Sequence, residues 1–210
     1  MSVGELTLYL LRHGESEANV GRVFASRKVD PPLTDEGIRQ AEAQGEFLKS
    51  AGLTAIHAST LLRARQTAAI IGRHCGLAVT HHDALREVHV GILDGESQND
   101  PEKWAAHEEV KTKWERGLFS ASYAGGESID DAGRRFAGFV ESLGEKDGSH
   151  ILVVGHYLLF ASVVWLMCDG RAPTFNECGL NRGHMTVICR AGDRFRIVTL
   201  NVFTSGARGA

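Results

Sequence analysis

Short apolar segments alternate with stretches of helical periodicity along this chain, and that alternation leaves it few ways to fold. Leu6–Leu11 and Ile151–Val154 read as buried strands, Thr54–Ala58 as a second short strand and Ala78–His82 as a candidate third. Between them lie helix signals. Thr34 is a good N-cap, with Asp35 and Glu36 in the first turn, where the helix dipole favours acids. Ile38, Ala41, Gly45 and Leu48 then recur at helical spacing until Gly52. Leu61–Cys75 forms a second helix closed by Gly76. Ser128 and Asp131 form a capping box ahead of Ile129, Ala132, Phe136, Val140 and Leu143, and Gly144 ends that helix. An apolar helix starts at Tyr157, and Met185–Cys189 and Phe195–Leu200, parted by Gly192-Asp193, read as a hairpin. Strands alternating with helices predict an α/β fold, a three-layer α/β/α sandwich on a mostly parallel central sheet.

At 210 residues the chain reads as one domain, 1–210, able to bury a core without disulfides. Residues 95–127 are less periodic and read as an excursion over that core, and 205–210 as a flexible tail. With 23 Lys+Arg against 26 Asp+Glu, the net charge of −3 argues against nucleic acid as a partner. The longest apolar run, Leu158–Cys168, falls short of the about 20 residues that span a bilayer, and Met1–Gly4 lacks a signal-peptide start. Cys75, Cys168, Cys178 and Cys189 show no C-x-x-C spacing, which predicts reduced thiols in a cytoplasmic protein. If the chain associates, a homodimer is the expected form.

Ligands of such sheets bind beyond the carboxyl ends of the strands. Arg12-His13-Gly14-Glu15 follows the first strand, Ser59 and Arg63 the second, and Gly155-His156 the Ile151 strand. Two arginines and two histidines therefore arrive at equivalent places from distant parts of the sequence. Guanidinium forks match phosphate oxygens bidentately. A histidine among them is held neutral by its cationic neighbours, leaving one ring nitrogen free to attack phosphorus.

Leu11-Arg12-His13-Gly14-Glu15 resembles the signature of the histidine phosphatase superfamily, which includes the cofactor-dependent phosphoglycerate mutases. The resemblance extends through Ser16 and Asn19; Asp30, Pro32, Leu33, Thr34, Gly37 and Gln40-Ala41; Ser59, Leu61, Arg63-Ala64 and Gln66-Thr67-Ala68; Glu87, Gly91 and Asp94-Gly95; and Gly125-Gly126-Glu127-Ser128. It implies a phosphoglycerate mutase-like fold. It also implies His13 as the nucleophile that becomes phosphohistidine, Arg12 and Arg63 as the phosphate clamp, and His156 as a fourth phosphate ligand, more useful if protonated. Glu87 would be the general acid and then the base, with its pKa raised by burial against the pull of the arginines. Asn19 would add a phosphate or substrate donor. The resemblance implies no metal and no cofactor.

Two departures stand out. Tyr157 occupies the place where many relatives have glycine, so its ring either adds bulk beside the site or turns into the core. The glycine common after the first phosphate loop is absent around Phe24-Ala25-Ser26, and the Ser26 hydroxyl is a candidate substitute. His89 either lines the pocket or supports a residue that does. His81-His82-Asp83 reads as solvated rather than metal-binding, since neighbours on a strand point to opposite faces. Trp104, His107 and Trp114 read as helix packing rather than a substrate box, although excursions of this type supply substrate contacts in relatives.

The stretch from Gly95 to Gly125 is short, and Glu102, Glu108 and Glu109 offset Lys103, Lys111, Lys113 and Arg116. That balance favours hydrolysis of a small phosphorylated metabolite over the bisphosphoglycerate-dependent mutase reaction. A non-catalytic phosphate-binding domain is the third reading, and the acid Glu87 argues against it.

Overall fold

The computed structural model describes residues 6–144 and 149–203. In chain order the elements are β1 (Thr7–Arg12), α1 (Glu17–Val20), α2 (Asp35–Leu48), β2 (Ala55–Ser59), α3 (Leu62–Cys75), β3 (Val79–His82), α4 (Pro101–Glu115) and α5 (Ile129–Ser142), followed by β4 (His150–Gly155), α6 (Tyr157–Met167), β5 (Cys168–Asp169), β6 (Met185–Ala191) and β7 (Arg194–Val202). Met1–Gly4 and the tail 205–210 lie outside the described residues.

The seven strands form one sheet in the order β3-β2-β4-β1-β6-β7-β5. β3, β2, β4 and β1 run parallel, while β6 joins β1 antiparallel and returns through β7 as the expected hairpin. The two-residue β5, which has no strand-like sequence pattern, runs parallel to β7 at the far edge.

Strand alternation divides the core between the two faces. Leu8, Leu10, Ile151 and Val153 point to one side, packed with α5 and α6 residues such as Phe136, Phe160 and Val164. Leu11, Ile56, Ala58, Leu152 and Val154 point to the other, against Leu48 of α2 and Ala64, Ala68 and Ile71 of α3. The sandwich has helices on both faces of a mostly parallel sheet. Thr34 caps α2 by accepting from the Gly37 N–H, and the Ser128–Asp131 box caps α5 in both directions. Gly76 closes α3 at φ 66°, in the left-handed region.

The periodicity misplaced one residue. Ile38, expected on the buried face of α2, is 40% exposed, while Gln44 is buried and donates to the Gly183 carbonyl. α6 is apolar all round because it is buried all round, Leu158 to Trp165. Among the described residues no helix is long and apolar enough to cross a membrane.

Candidate active site

Register builds the site. Arg12 pairs with Gly155 at the carboxyl ends of β1 and β4, so the next residue of each strand, His13 and His156, emerges at the same level. Their ring centroids lie 5.2 Å apart. Ala58 pairs with Val154 on the other side of β4, which puts Ser59 within reach of His156. These ends open into a cavity of about 760 Å³.

His13 is 3% exposed, and its Nδ1 lies 2.6 Å from the Gly14 carbonyl, an acceptor only, so Nδ1 carries the proton. The lone pair on Nε2 then accepts from Arg63 Nε–H at 3.0 Å. Burial first, then Arg63 and Arg12, hold the His13 pKa well below its ordinary value. The neutral ring expected from sequence follows, with desolvation rather than the arginines as the larger cause.

The loop that carries His13 is held by side chains from two helices. The Gly14 N–H donates to Thr67 Oγ1, and the Glu15 N–H to Gln40 Oε1. An ideal Cβ on Gly37 would lie 1.9 Å from the Glu15 carbonyl oxygen, so the loop rests directly on the α2 backbone. Asp30 accepts the Leu62 N–H at the start of α3 and lies 3.6 Å from Arg63 Nη1. Arg63 Nη2 donates to the Ala25 carbonyl at 2.9 Å, and Arg12 Nη1 to the Leu180 carbonyl at 2.9 Å. Burial pushes the Arg12 guanidinium down to about 10, against the opposing pull of Glu87, which still leaves a cation at neutral pH.

His156 is fully buried beside His13. Its Nε2 lies 2.8 Å from Ser59 Oγ, which already accepts the Leu61 N–H, so the hydroxyl is placed to donate to Nε2 and leave the proton on Nδ1. Burial, then Arg63 and His13, hold its pKa well below the usual range. The ring is thus neutral and offers a single N–H, not the charged form that would be more useful to a phosphate. Of the buried polar side-chain atoms with no hydrogen-bond partner among the described residues, three belong to this group: Arg12 Nε, Arg63 Nη1 and His156 Nδ1. Each such donor costs about 1–3 kcal/mol while unpaired, a penalty that an anion's oxygens relieve.

Glu87 sits at the N-terminus of α6. Its Oε1 accepts from the Val88 and Leu159 N–H groups, both at 2.9 Å, and Oε2 from Leu158 N–H at 3.1 Å. Sequence offered burial and arginines as the competing influences. The structure adds three backbone donors that no spacing could reveal. They occupy Oε1 twice and Oε2 once, leaving one acceptor position on Oε2.

The remaining candidates separate. Asn19 lines the cavity, its Oδ1 tied to the Ser16 N–H at 3.0 Å. Tyr157 also lines it rather than entering the core: its ring lies 5.1 Å from the Arg12 guanidinium, and its hydroxyl donates to the Asn176 carbonyl. Gly179 makes room for that ring, since a Cβ there would lie 2.2 Å from it. Ser26 does not reach the cavity. Its hydroxyl donates to Asp94 at 2.8 Å, and Asp94 also accepts the N–H groups of Ser26, Arg27 and Lys28. Burial raises the Asp94 pKa, but these bonds outweigh it and hold the carboxyl below its ordinary value.

His89 lies outside the lining as well, 4.0 Å from Asp94. His82, expected to be solvated, shares a 2.9 Å hydrogen bond with His57 under Phe139, while His81 is exposed. Trp114 is packing, as expected, with its Nε1–H on the Ala121 carbonyl. Trp104 and His107 instead face the cavity, together with Glu108 and Lys111. Residues 104, 107, 108 and 111 form one helical stripe, a signal present in the sequence but obscured by reading the aromatics and the charges separately. Arg182, paired to Glu15 at 2.7 Å, also lines the cavity and had no motif to mark it.

Residues 8–202 match the histidine phosphatase superfamily, branch 1. The probable phosphoglycerate mutase GpmB of Yersinia pestis (strain Pestoides F) is 36% identical over 185 residues, 84% of each chain. Among solved structures, the mycobacterial glucosyl-3-phosphoglycerate phosphatase complexed with VO3 is similar at a TM-score of 0.76 and 26% identity, covering 93% of this chain and 98% of that one. YhfR of Bacillus stearothermophilus is similar at a TM-score of 0.80 and 25% identity, covering 95% and 98%.

Proposed function

This chain belongs to branch 1 of the histidine phosphatase superfamily, whose members act on small phosphorylated substrates, and on that premise we propose that it is a phosphomonoester hydrolase working through His13. The observation that carries the proposal is the His13 tautomer. A proton fixed on Nδ1 by Gly14 leaves Nε2 unprotonated beside the cavity, and its lone pair becomes the nucleophile when the Arg63 Nε–H that donates to it turns to a phosphate oxygen.

The first step forms the Nε2–P bond and breaks the bond from phosphorus to the ester oxygen. Arg12, Arg63 and the His156 Nδ1–H take the equatorial oxygens, where charge grows. Glu87 gives the proton on Oε2 to the departing alkoxide, a transfer worth about 10²–10⁴-fold. In the second step Glu87 takes a proton from water, whose oxygen attacks phosphorus. The Nε2–P bond then breaks, releasing inorganic phosphate and restoring both residues. Asn19 and Tyr157 flank the incoming ester.

Brief mixing with a ³²P-labelled phosphomonoester gives an acid-labile, base-stable protein label, expected to vanish in His13→Ala. A label that persists in that variant overturns the assignment. The mutase name of the 36% identical relative supports a second reading, transfer to another hydroxyl of a phosphoglycerate. Conversion of 3- to 2-phosphoglycerate that depends on 2,3-bisphosphoglycerate and outpaces phosphate release selects that reading. The ion-paired state of Lys111 and Arg182 supports hydrolysis, since neither is a free cation kept for a substrate carboxylate.

A further inference from the structure

The α4 wall of the cavity has no part in the phosphoryl chemistry. It nevertheless carries a costly arrangement. Lys111 is 5% exposed and lines the cavity, its Nζ 2.6 Å from Glu108 Oε1 and 5.9 Å from the centre of the Trp104 ring. An ammonium has three donors and Glu108 takes one. Burying a lysine on so few partners is unfavourable unless a ligand completes the set. His107 beside it is hydrogen-bonded through Nδ1 to the Tyr123 hydroxyl at 2.8 Å, and burial, reinforced by Lys111, pushes it down to about 3. Trp104, half exposed, stacks at 6.3 Å on Phe24, which also faces the cavity.

We propose that this wall reads the alcohol half of the ester as a ring polyol, so that the substrates are sugar phosphates; this rests on the hydrolase reading above. A donor and an acceptor 2.6 Å apart match vicinal hydroxyls, each of which both gives and accepts a hydrogen bond. The pair has no net charge and His107 is neutral, so the wall does not recruit a carboxylate. Arg22, which also lines the cavity, is solvent-exposed, where attraction to an anion is weak. Trp104, exposed at the cavity beside Phe24, adds apolar ring surface for the C–H groups of a sugar. At about 760 Å³ the cavity has room for a ring beyond the phosphoryl group.

The test measures kcat and KM for glucose 6-phosphate, ribose 5-phosphate, 3-phosphoglycerate and p-nitrophenyl phosphate, with wild type, Lys111→Met and Glu108→Gln. The expected result is a wild-type preference for a sugar phosphate over both other esters. In each variant the ratio of sugar to aryl kcat/KM falls roughly 10- to 100-fold, mainly through KM, the scale of one hydrogen bond to a charged group. A preference for 3-phosphoglycerate, an unchanged ratio, or equal losses on all esters overturns the proposal. If no ester is turned over, the hydrolase reading fails by itself. Calorimetry on His13→Ala then decides the wall: sugar-phosphate binding weakened by adding Lys111→Met upholds it, and no binding or no weakening overturns it.

Discussion

His13 is a usable nucleophile because three separate features agree on one protonation state. The Gly14 carbonyl fixes the proton on Nδ1, Arg63 points a cation at Nε2, and burial removes the water that would stabilise an imidazolium. An ordinary histidine is half protonated near pH 6.5 and loses nucleophilicity below it. Here the folded pKa is depressed, so the ring stays neutral as pH falls through 6.5. An NMR titration of the His13 ring proton on Cε1 is expected to show no midpoint between pH 8 and 5.5. A midpoint near 6.5 refutes the electrostatic account of this residue. Arg63→Met removes a depressing charge, and the His13 midpoint is expected to move upward from its wild-type position. That Arg12, His13, Arg63 and His156 converge was legible, because each follows a strand end, whereas Glu87 joined them only through the family resemblance. Which nitrogen of each histidine ring carries the proton was not legible, since it depends on Gly14 and Ser59, whose approach is a matter of three-dimensional placement.

At the scale of elements, the close seat of the His13 loop on α2 links helix packing to chemistry. The Gly37 position has no room for a side chain: a Cβ would lie 1.9 Å from the Glu15 oxygen, and one on Gly14 would lie 2.4 Å from the Gly37 oxygen. Both obstacles are backbone, so they cannot rotate aside. Gly37→Ala is expected to lower unfolding free energy by about 1–3 kcal/mol, the usual cost of overpacking, and to lower kcat/KM in the variant that remains folded. Urea unfolding and aryl phosphate kinetics measure the two, and a variant equal to wild type in both shows that the seat is not needed. The helices themselves were readable from caps and periodicity: Thr34, Gly76 and the Ser128–Asp131 box stand where expected. Sequence erred where one side chain served a local rather than a periodic purpose. Ile38 is exposed although in phase, and Ser26 resembles a phosphate donor but anchors the loop to Asp94. α4 was misread because its stripe mixes aromatic and charged residues, which a scale of hydrophobicity averages away.

Over the whole molecule, the buried histidines, catalytic and otherwise, also set its tolerance of acid. His13, His156 and His107 are buried and neutral, each held below the ordinary histidine value chiefly by burial, His107 down to about 3. In the unfolded chain each takes a proton near pH 6.5. Above that pH neither state is charged and the fold keeps its full stability. As pH falls from 6.5 toward about 3, the unfolded state alone gains the proton, and the contribution of His107 is lost at up to about 1.4 kcal/mol per pH unit. Carboxyls held low add their own loss mainly below their ordinary values, 3.8 for Asp94 and 4.5 for the exposed Glu46 and Glu109. The interval from pH 6 to 4.5 therefore reports the histidines. Urea unfolding across that interval is expected to show a steep fall in stability with acid, and His107→Gln to reduce the slope by close to one proton. An unchanged slope removes His107 from the account. Inorganic phosphate at constant pH is expected to raise stability by binding the folded state alone. In Arg63→Met that gain is expected to shrink, because the anion loses the cation on which its site depends.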